Sequence, residues 1–345
     1  MKPGSIILKR DNLSFGTLRD WLCLTAVVGS AVAITVGAAC SVPKWQLIST
    51  GEHPHTPTFL AVSFTNPDHG WGLTPTTLFE TSDGGRTWAS RVEDSDTKRT
   101  FFSLEFVNEL TGFIVGAQRS GNDRALLILR TSDAGKTWQD TIIKVGSNTP
   151  NAGLLLHAIS FCDPQVGWAV GSNVIVRTTN GGQTWETQRS NNEEVLFGVA
   201  CLSPDRAWVV GQNGLVLYTT DGGKTWARQA SGTTDNLTRV RALGDNLWIV
   251  GGMSERGILL RTHNAGANWQ SQPLDISEAL FDIYVSGTRG WIVGAKGAIL
   301  RTNDGGQTWE RQESPTENNL MCLFFVSPDR GWAGGDRMTL LRFSE

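Results

Sequence analysis

Tyrosine is nearly absent from this 345-residue sequence: Tyr218 and Tyr284 are the only two. Histidine and cysteine are scarce as well, with five of each. His53, His55, His69, His157 and His263 show no metal-ligand spacing and are expected in surface loops, and the cysteines fit no zinc pattern, so no metal site is expected. Charge is close to balance at −3, which argues against nucleic acid as a partner. Past residue 40 helix-period patterning is missing, and the paired glycines lead into no helix, which removes phosphate-cradling loops. No cofactor is expected.

Glycine, by contrast, is abundant at 39 residues, and much of it falls in one recurring box. The box appears first as Thr81-Ser82-Asp83-Gly84-Gly85-Arg86-Thr87-Trp88 and last as Thr302-Asn303-Asp304-Gly305-Gly306-Gln307-Thr308-Trp309. Its six closing tryptophans, Trp88, Trp138, Trp185, Trp226, Trp269 and Trp309, are spaced by 50, 47, 41, 43 and 40 residues, the period of a four-stranded repeat. The pattern predicts a tight hairpin turn in which an aspartate or asparagine bonds its own backbone two residues on and glycine supplies a positive φ. Asp83, Asp133, Asp221 and Asp304 hold the acidic place, while Asn180 and Asn264 take it without a charge. That exchange points to a structural clamp rather than a catalytic carboxylate.

A second motif precedes each box: a strand carrying Gly-Trp or a relative, at Trp71, Phe113, Trp168, Trp208, Trp248, Trp291 and Trp332. Seven such strands against six boxes balance if Trp45-Gln46-Leu47-Ile48-Ser49 supplies the outer strand of the last repeat. The fold class is therefore all-β, a seven-bladed propeller of four-stranded antiparallel blades over residues 45–345, closed by its N-terminal strand so that no sheet edge is exposed there. Innermost strands alternate bulky residues (Val62 and Phe64, Ile159 and Phe161) with small ones (Ala61 and Ser63, Ala158 and Ser160), as blades covered on both faces require. Cys162, Cys201 and Cys322 fall in these strands and are expected as buried free thiols. The alternative is a disulfide between Cys162 and Cys201, which sit in adjacent blades.

Residues 1–44 form a separate signal or anchor segment. Lys2, Lys9, Arg10 and Arg19 precede an uncharged run over 21–39, and Gly37-Ala38-Ala39-Cys40 has the form of a lipoprotein cleavage box with glycine where leucine is usual. Lipidation at Cys40, an uncleaved membrane anchor and a cleaved export signal all remain open. Each places the body outside the cytoplasm, tethered or secreted.

An Asp-box propeller raises the question of a sialidase, whose nucleophile is a tyrosine. Tyr218 occupies a repeat position beside the fourth box, Tyr284 follows the bulky parity of an inner strand, and the arginine-isoleucine-proline motif is missing. No catalytic residue is assigned, and the chain reads as a non-enzyme. Binding is a better prospect. The residue before each box threonine is Glu80, Arg130, Arg177, Tyr218, Arg261 and Arg301, with Arg342 at the comparable place in blade seven, which makes an arginine-rich belt around the ring. Guanidinium groups stack and grip carboxylates, so this belt is either a protein-docking surface or a set of contacts within the ring. Glu105, Arg239, Arg241 and Asp282 break the apolar rule of the inner strands, and one of the two arginines is expected to pair with Asp282 across the blade boundary.

The seven-blade count, strands such as Gly290-Trp291-Ile292-Val293-Gly294 and boxes such as Thr219-Thr220-Asp221-Gly222-Gly223-Lys224-Thr225-Trp226 resemble the photosystem II stability and assembly factor family over residues 45–345. The resemblance implies a propeller behind an N-terminal signal, a lumenal or periplasmic location and no enzymatic activity. It also implies chaperone-like binding of a photosystem II reaction-centre precursor, through a surface that includes arginines. Blade one, with Trp71-Gly72-Leu73-Thr74-Pro75, and blade two, with Phe113 and an insertion over 118–124, depart from the pattern. The reading is a membrane-tethered scaffold facing the periplasm, thylakoid lumen or cell exterior, with that precursor or another membrane-complex subunit as partner. The runner-up is a sialidase-like or carbohydrate-binding propeller at the cell surface.

Overall fold

A computed structural model describes residues 44–345 apart from 52, 54, 94–97, 121–122, 144–153, 191 and 254–255. The leader with Cys40 lies outside the described residues. Seven antiparallel sheets of four strands each make up the body. Blades one to six run 61–93, 99–143, 156–188, 196–229, 237–271 and 280–311, each laid down in chain order from innermost to outermost strand. Blade seven takes its inner three strands from 320–344 and its outer strand from Lys44–Ser49.

That outer strand closes the ring as the strand count requires. It pairs Lys44 with Ser344, Trp45 with Phe343 and Leu47 with Leu341. Trp45 is buried, 6.0 Å from the Phe325 ring and 5.4 Å from Phe343.

The alternation of bulky and small residues has a seam-by-seam cause. The motif aromatic of one blade, a tryptophan or Phe113, stacks on an inner-strand phenylalanine of the next: Trp71 on Phe106 at 5.6 Å, Phe113 on Phe161 at 4.4 Å, Trp291 on Phe325 at 4.4 Å and Trp332 on Phe64 at 3.8 Å. Each of these phenylalanines lies over the glycine paired with it across its own sheet, Gly112, Gly167, Gly331 and Gly70, where a Cβ would fall within 2.7 Å of the ring. Glycine before tryptophan is thus the seat for an aromatic wedge. Blades four and five carry Cys201 and Ala242 instead, and their partners are Ala207 and Leu247. Truncating any such buried aromatic would cost about 3–5 kcal/mol.

Candidate protein-binding face

Five of the six boxes are closed hydrogen-bond cycles. In the first, Thr81 Oγ1 donates to Asp83 Oδ1 at 2.8 Å and accepts from the Gly85 N–H at 2.9 Å. Asp83 then accepts from the Thr87 N–H at 2.9 Å and from the Thr87 hydroxyl at 2.7 Å. The aspartate therefore bonds the backbone four residues on, not two as the turn pattern suggested, because two successive positive-φ residues, Gly84 and Gly85, curl the loop back over it, as Ala134 and Gly135 do in the second box. The Thr87 hydroxyl, then the Thr87 N–H, hold Asp83 down at about 2. Asn180 keeps the cycle with one donor reversed, its Nδ2 donating to Thr184 Oγ1 at 2.8 Å. Asn264 accepts from the Thr262 hydroxyl at 2.7 Å and from the Asn268 N–H at 3.0 Å but has no threonine hydroxyl after it to close the far side.

The boxes also reach across seams. The second box glycine presses on the preceding blade with a positive φ: Gly135 on Trp71, Gly182 on Phe113 and Gly306 on Trp248, where a Cβ would come within 2.5 Å. The belt arginines answer from the other side. Arg130 Nε donates to Gly181 O at 2.8 Å, Arg261 to Gly306 O at 3.1 Å and Arg177 to Pro204 O at 2.8 Å, all acceptors in the next blade. Arg342 comes close to Gly84 of the first box. Blade seven has no box, and there the Glu345 side chain takes its place, pairing with Arg301 at 3.1 Å and with Arg289 at 2.7 Å. The belt arginines are all half-buried. Arg177, Arg261 and Arg301 also lie over Trp168, Trp248 and Trp291 at 4.9, 5.7 and 5.6 Å.

The inner-strand charges gather elsewhere, in a cavity of about 380 Å³ at the end of the central channel nearest the boxes. Arg239 Nε sits 3.3 Å from Asp282 Oδ1, so the expected pair across the boundary of blades five and six is present. Asp282 is further satisfied by the N–H groups of Ile283 at 2.9 Å and Leu323 at 2.8 Å. One layer nearer the boxes, the residues opposite the buried aromatic of each blade form a ring: Ser63, Glu105, Ser160, Ala200, Arg241, Tyr284 and Phe324. Arg241 is exposed into this ring, 5.4 Å over Tyr284. Among the described residues no carboxylate lies within ion-pair distance of it. Glu105 faces the same cavity but is held neutral: burial pushes its carboxyl up to about 8, opposed by the Phe161 N–H bond and by Arg241. Its Oε1 accepts that bond at 3.3 Å and its Oε2 has no partner. The cavity wall thus carries one uncompensated positive charge at neutral pH.

The titration of Glu105 makes stability depend on pH. Its folded pKa of about 8 lies above the ordinary 4.5, so the folded protein binds more protons between these values and loses stability as pH rises through them. Glu105→Gln is expected to remove that loss. Urea melts should show the variant more stable than wild type at pH 9 by on the order of 1–3 kcal/mol, and level with it at pH 4.5. Equal melts at pH 9 would contradict it.

Over residues 38–158, 149–272 and 279–344 the chain matches the family described as "Photosynthesis system II assembly factor YCF48". The chain belongs to that family. It is 26% identical over 321 residues to the "Photosystem II assembly lipoprotein Ycf48" of Trichormus variabilis, covering 87% of this chain and 86% of that one. To the "Photosystem II stability/assembly factor HCF136, chloroplastic" of Arabidopsis thaliana it is 25% identical, over 94% of this chain and 86% of the relative. A solved structure described as "YCF48 bound to D1 peptide" superposes with a TM-score of 0.67 at 24% identity, covering 88% of this chain and 95% of that one.

Three features of this YCF48-family propeller depart from expectation or escaped it. Cys162 and Cys201 are not free thiols but a disulfide, with Cα atoms 5.0 Å apart, because the small residue at 201 lets the adjacent inner strands approach at that point. Only Cys322 matches the expected buried free thiol; burial and the neighbouring Asp282 push it up to about 12. His157 is not in a surface loop but on the inner strand Leu156–Phe161, its Nδ1–H donating to Leu196 O at 2.9 Å between the rings of Phe102 and Phe197. It occupies a β-bulge, and five other inner strands bulge at the same height, at Phe102, Phe197, Thr238, Phe281 and Met321. Bulges re-aim side chains. The cavity lining stops short of this ring, which marks its inner end.

Proposed function

We propose that this protein is a non-enzymatic, exported assembly factor that holds an anionic segment of a photosystem II reaction-centre precursor on the box side of its ring. The observation that carries the reading is Arg241, exposed in a cavity whose other arginine is already paired with Asp282 and whose remaining carboxyl, Glu105, is neutral. Arg239 and Arg241 line the cavity, and Arg130, Arg177, Arg261, Arg301 and Arg342 form the rim of the proposed surface, the first four with their guanidinium groups already engaged across seams. Family membership and the D1 peptide borne by the solved relative support the choice of partner.

Location follows the same line. A disulfide forms and persists outside the reducing cytosol, and the relative from Trichormus variabilis is named a lipoprotein. Residues 1–44 are then the tether, with Cys40 as lipid carrier, and 45–345 the working domain in the lumen or periplasm. Two-carboxylate glycoside hydrolysis is disfavoured by the cavity itself, since Asp282 is spent on Arg239 and two backbone donors, and the tyrosine route of sialidases by Tyr284, whose ring is stacked on Phe325 at 4.5 Å.

Arg241→Ala is the test. Loss of one charge-assisted contact is expected to weaken binding of an acidic D1 peptide about 10-fold in calorimetry, with an unchanged melting temperature. Unchanged affinity would overturn the assignment. A triple alanine variant at Arg130, Arg177 and Arg301 is less informative, because it also removes contacts that close seams.

A further inference from the structure

We propose that the Cys162–Cys201 disulfide is a thiol-exchange site, opened in the folded protein by a dithiol reductant of the thioredoxin class, and that its opening loosens one wall of the cavity. Four observations converge on it. The bond crosses the seam between blades three and four, joining the end of one inner strand to the next, and Cys201 lines the cavity. Both cysteines are half-buried, whereas Cys322 is fully enclosed. Position 201 is where blades one, two, three and seven carry the phenylalanine that a neighbouring aromatic stacks upon. Here the covalent bond stands in place of that wedge.

The fourth observation concerns the reduced form. Val166 O lies 3.5 Å from Cys162 Sγ and Ser203 O lies 3.5 Å from Cys201 Sγ, so each thiol released by reduction has a carbonyl acceptor close by as the two sulfurs move apart. The seam also keeps independent ties. Cys201 N–H donates to Ser160 Oγ at 3.1 Å, Gln188 Nε2 to Gly222 O at 2.9 Å and Arg177 to Pro204 O at 2.8 Å. Reduction therefore relaxes this seam and leaves the ring closed.

The exchange balances as a two-electron transfer. A reductant thiolate attacks Cys201 Sγ from the cavity side, forming a mixed disulfide, and Cys162 leaves as a thiolate that takes a proton. The second reductant thiol then attacks the mixed disulfide and releases Cys201, so the reductant ends as a disulfide and the protein as two thiols.

The test uses the oxidised full-length protein and reduced thioredoxin without denaturant, followed by alkylation and peptide mapping. Peptides bearing Cys162 and Cys201 should each gain a label while Cys322 stays unlabelled. Amide exchange over 156–161 and 196–203 should rise at least 3-fold, with blades six and seven unchanged. The Cys162→Ser/Cys201→Ser variant should reproduce the raised exchange without reductant. Labelling of these cysteines only after unfolding, or exchange rates equal to the oxidised form in both the reduced protein and the variant, would overturn the proposal. Its consequence for partner capture rests on the function proposed above: the reduced protein should bind the D1 peptide more weakly than the oxidised one. If neither form binds peptide, that functional reading fails while the labelling result still decides the exchange site. If both bind equally, the cavity wall does not respond to the bond and this inference fails.

Discussion

Deleting residues 44–49 is expected to abolish cooperative folding of the ring. The strand contributes a full edge ladder to blade seven, and Trp45 fills the space between Phe325 and Phe343. Loss of the tryptophan alone is worth about 3–5 kcal/mol, a large part of the 5–15 kcal/mol by which domains are typically stable. The deletion also bares the strand Thr339–Ser344 as a free edge whose unpaired backbone groups recruit other chains. Size-exclusion chromatography should show aggregates in place of monomer, and a thermal melt should lose its sharp transition. A monomeric variant melting within a few degrees of wild type would mean that blade seven does not need its fourth strand.

The second large effect is expected at a box glycine. Gly135 has φ +77°, and a Cβ there would lie 2.5 Å from the buried Trp71 ring. Gly135→Ala must bear the left-handed conformation, at roughly 1–2 kcal/mol, and the overpacking of a close seam, at roughly 1–3 kcal/mol. Gly232 separates the two costs, since it has nearly the same φ, +78°, and nothing within 4 Å of a Cβ. Chemical denaturation should therefore place Gly135→Ala below Gly232→Ala by about 1–3 kcal/mol. Equal losses would show that the seam yields freely and that the box glycine matters only for its turn.

The architecture was legible because it is written as repetition. Trp88 to Trp309 set the period, Trp71 to Trp332 set the count, and Trp45 had a place only as the strand that closes the ring. The ion pair of Arg239 with Asp282 was also within reach, since two charges breaking an apolar pattern in neighbouring blades need each other. What stayed hidden depends on registration between strands. The β-bulges that place Phe102, His157 and Phe197 in one ring leave no mark in the alternation, since an extra residue resembles a slip in the pattern. The belt arginines show why repeat phase does not settle role: Arg261 and Arg301 hold the same place in successive blades, yet one reaches a backbone carbonyl and the other the Glu345 carboxylate. The disulfide had a signal that was available. Cys201 and Ala242 are small where Phe64, Phe106, Phe161 and Phe325 are large, and a seam that lacks its aromatic wedge is one where a covalent bond has room.

The closing strand also sets a clock. Thr50 and Thr339 share a hydrogen bond across 289 residues of sequence, so blade seven cannot exist until nearly the whole chain has been made. At synthesis rates of roughly 5–20 residues per second, the partner strand is made about 15–60 s after the first. Throughout that interval the ring is an open arc with an unpaired edge, and its maturation is a single late event.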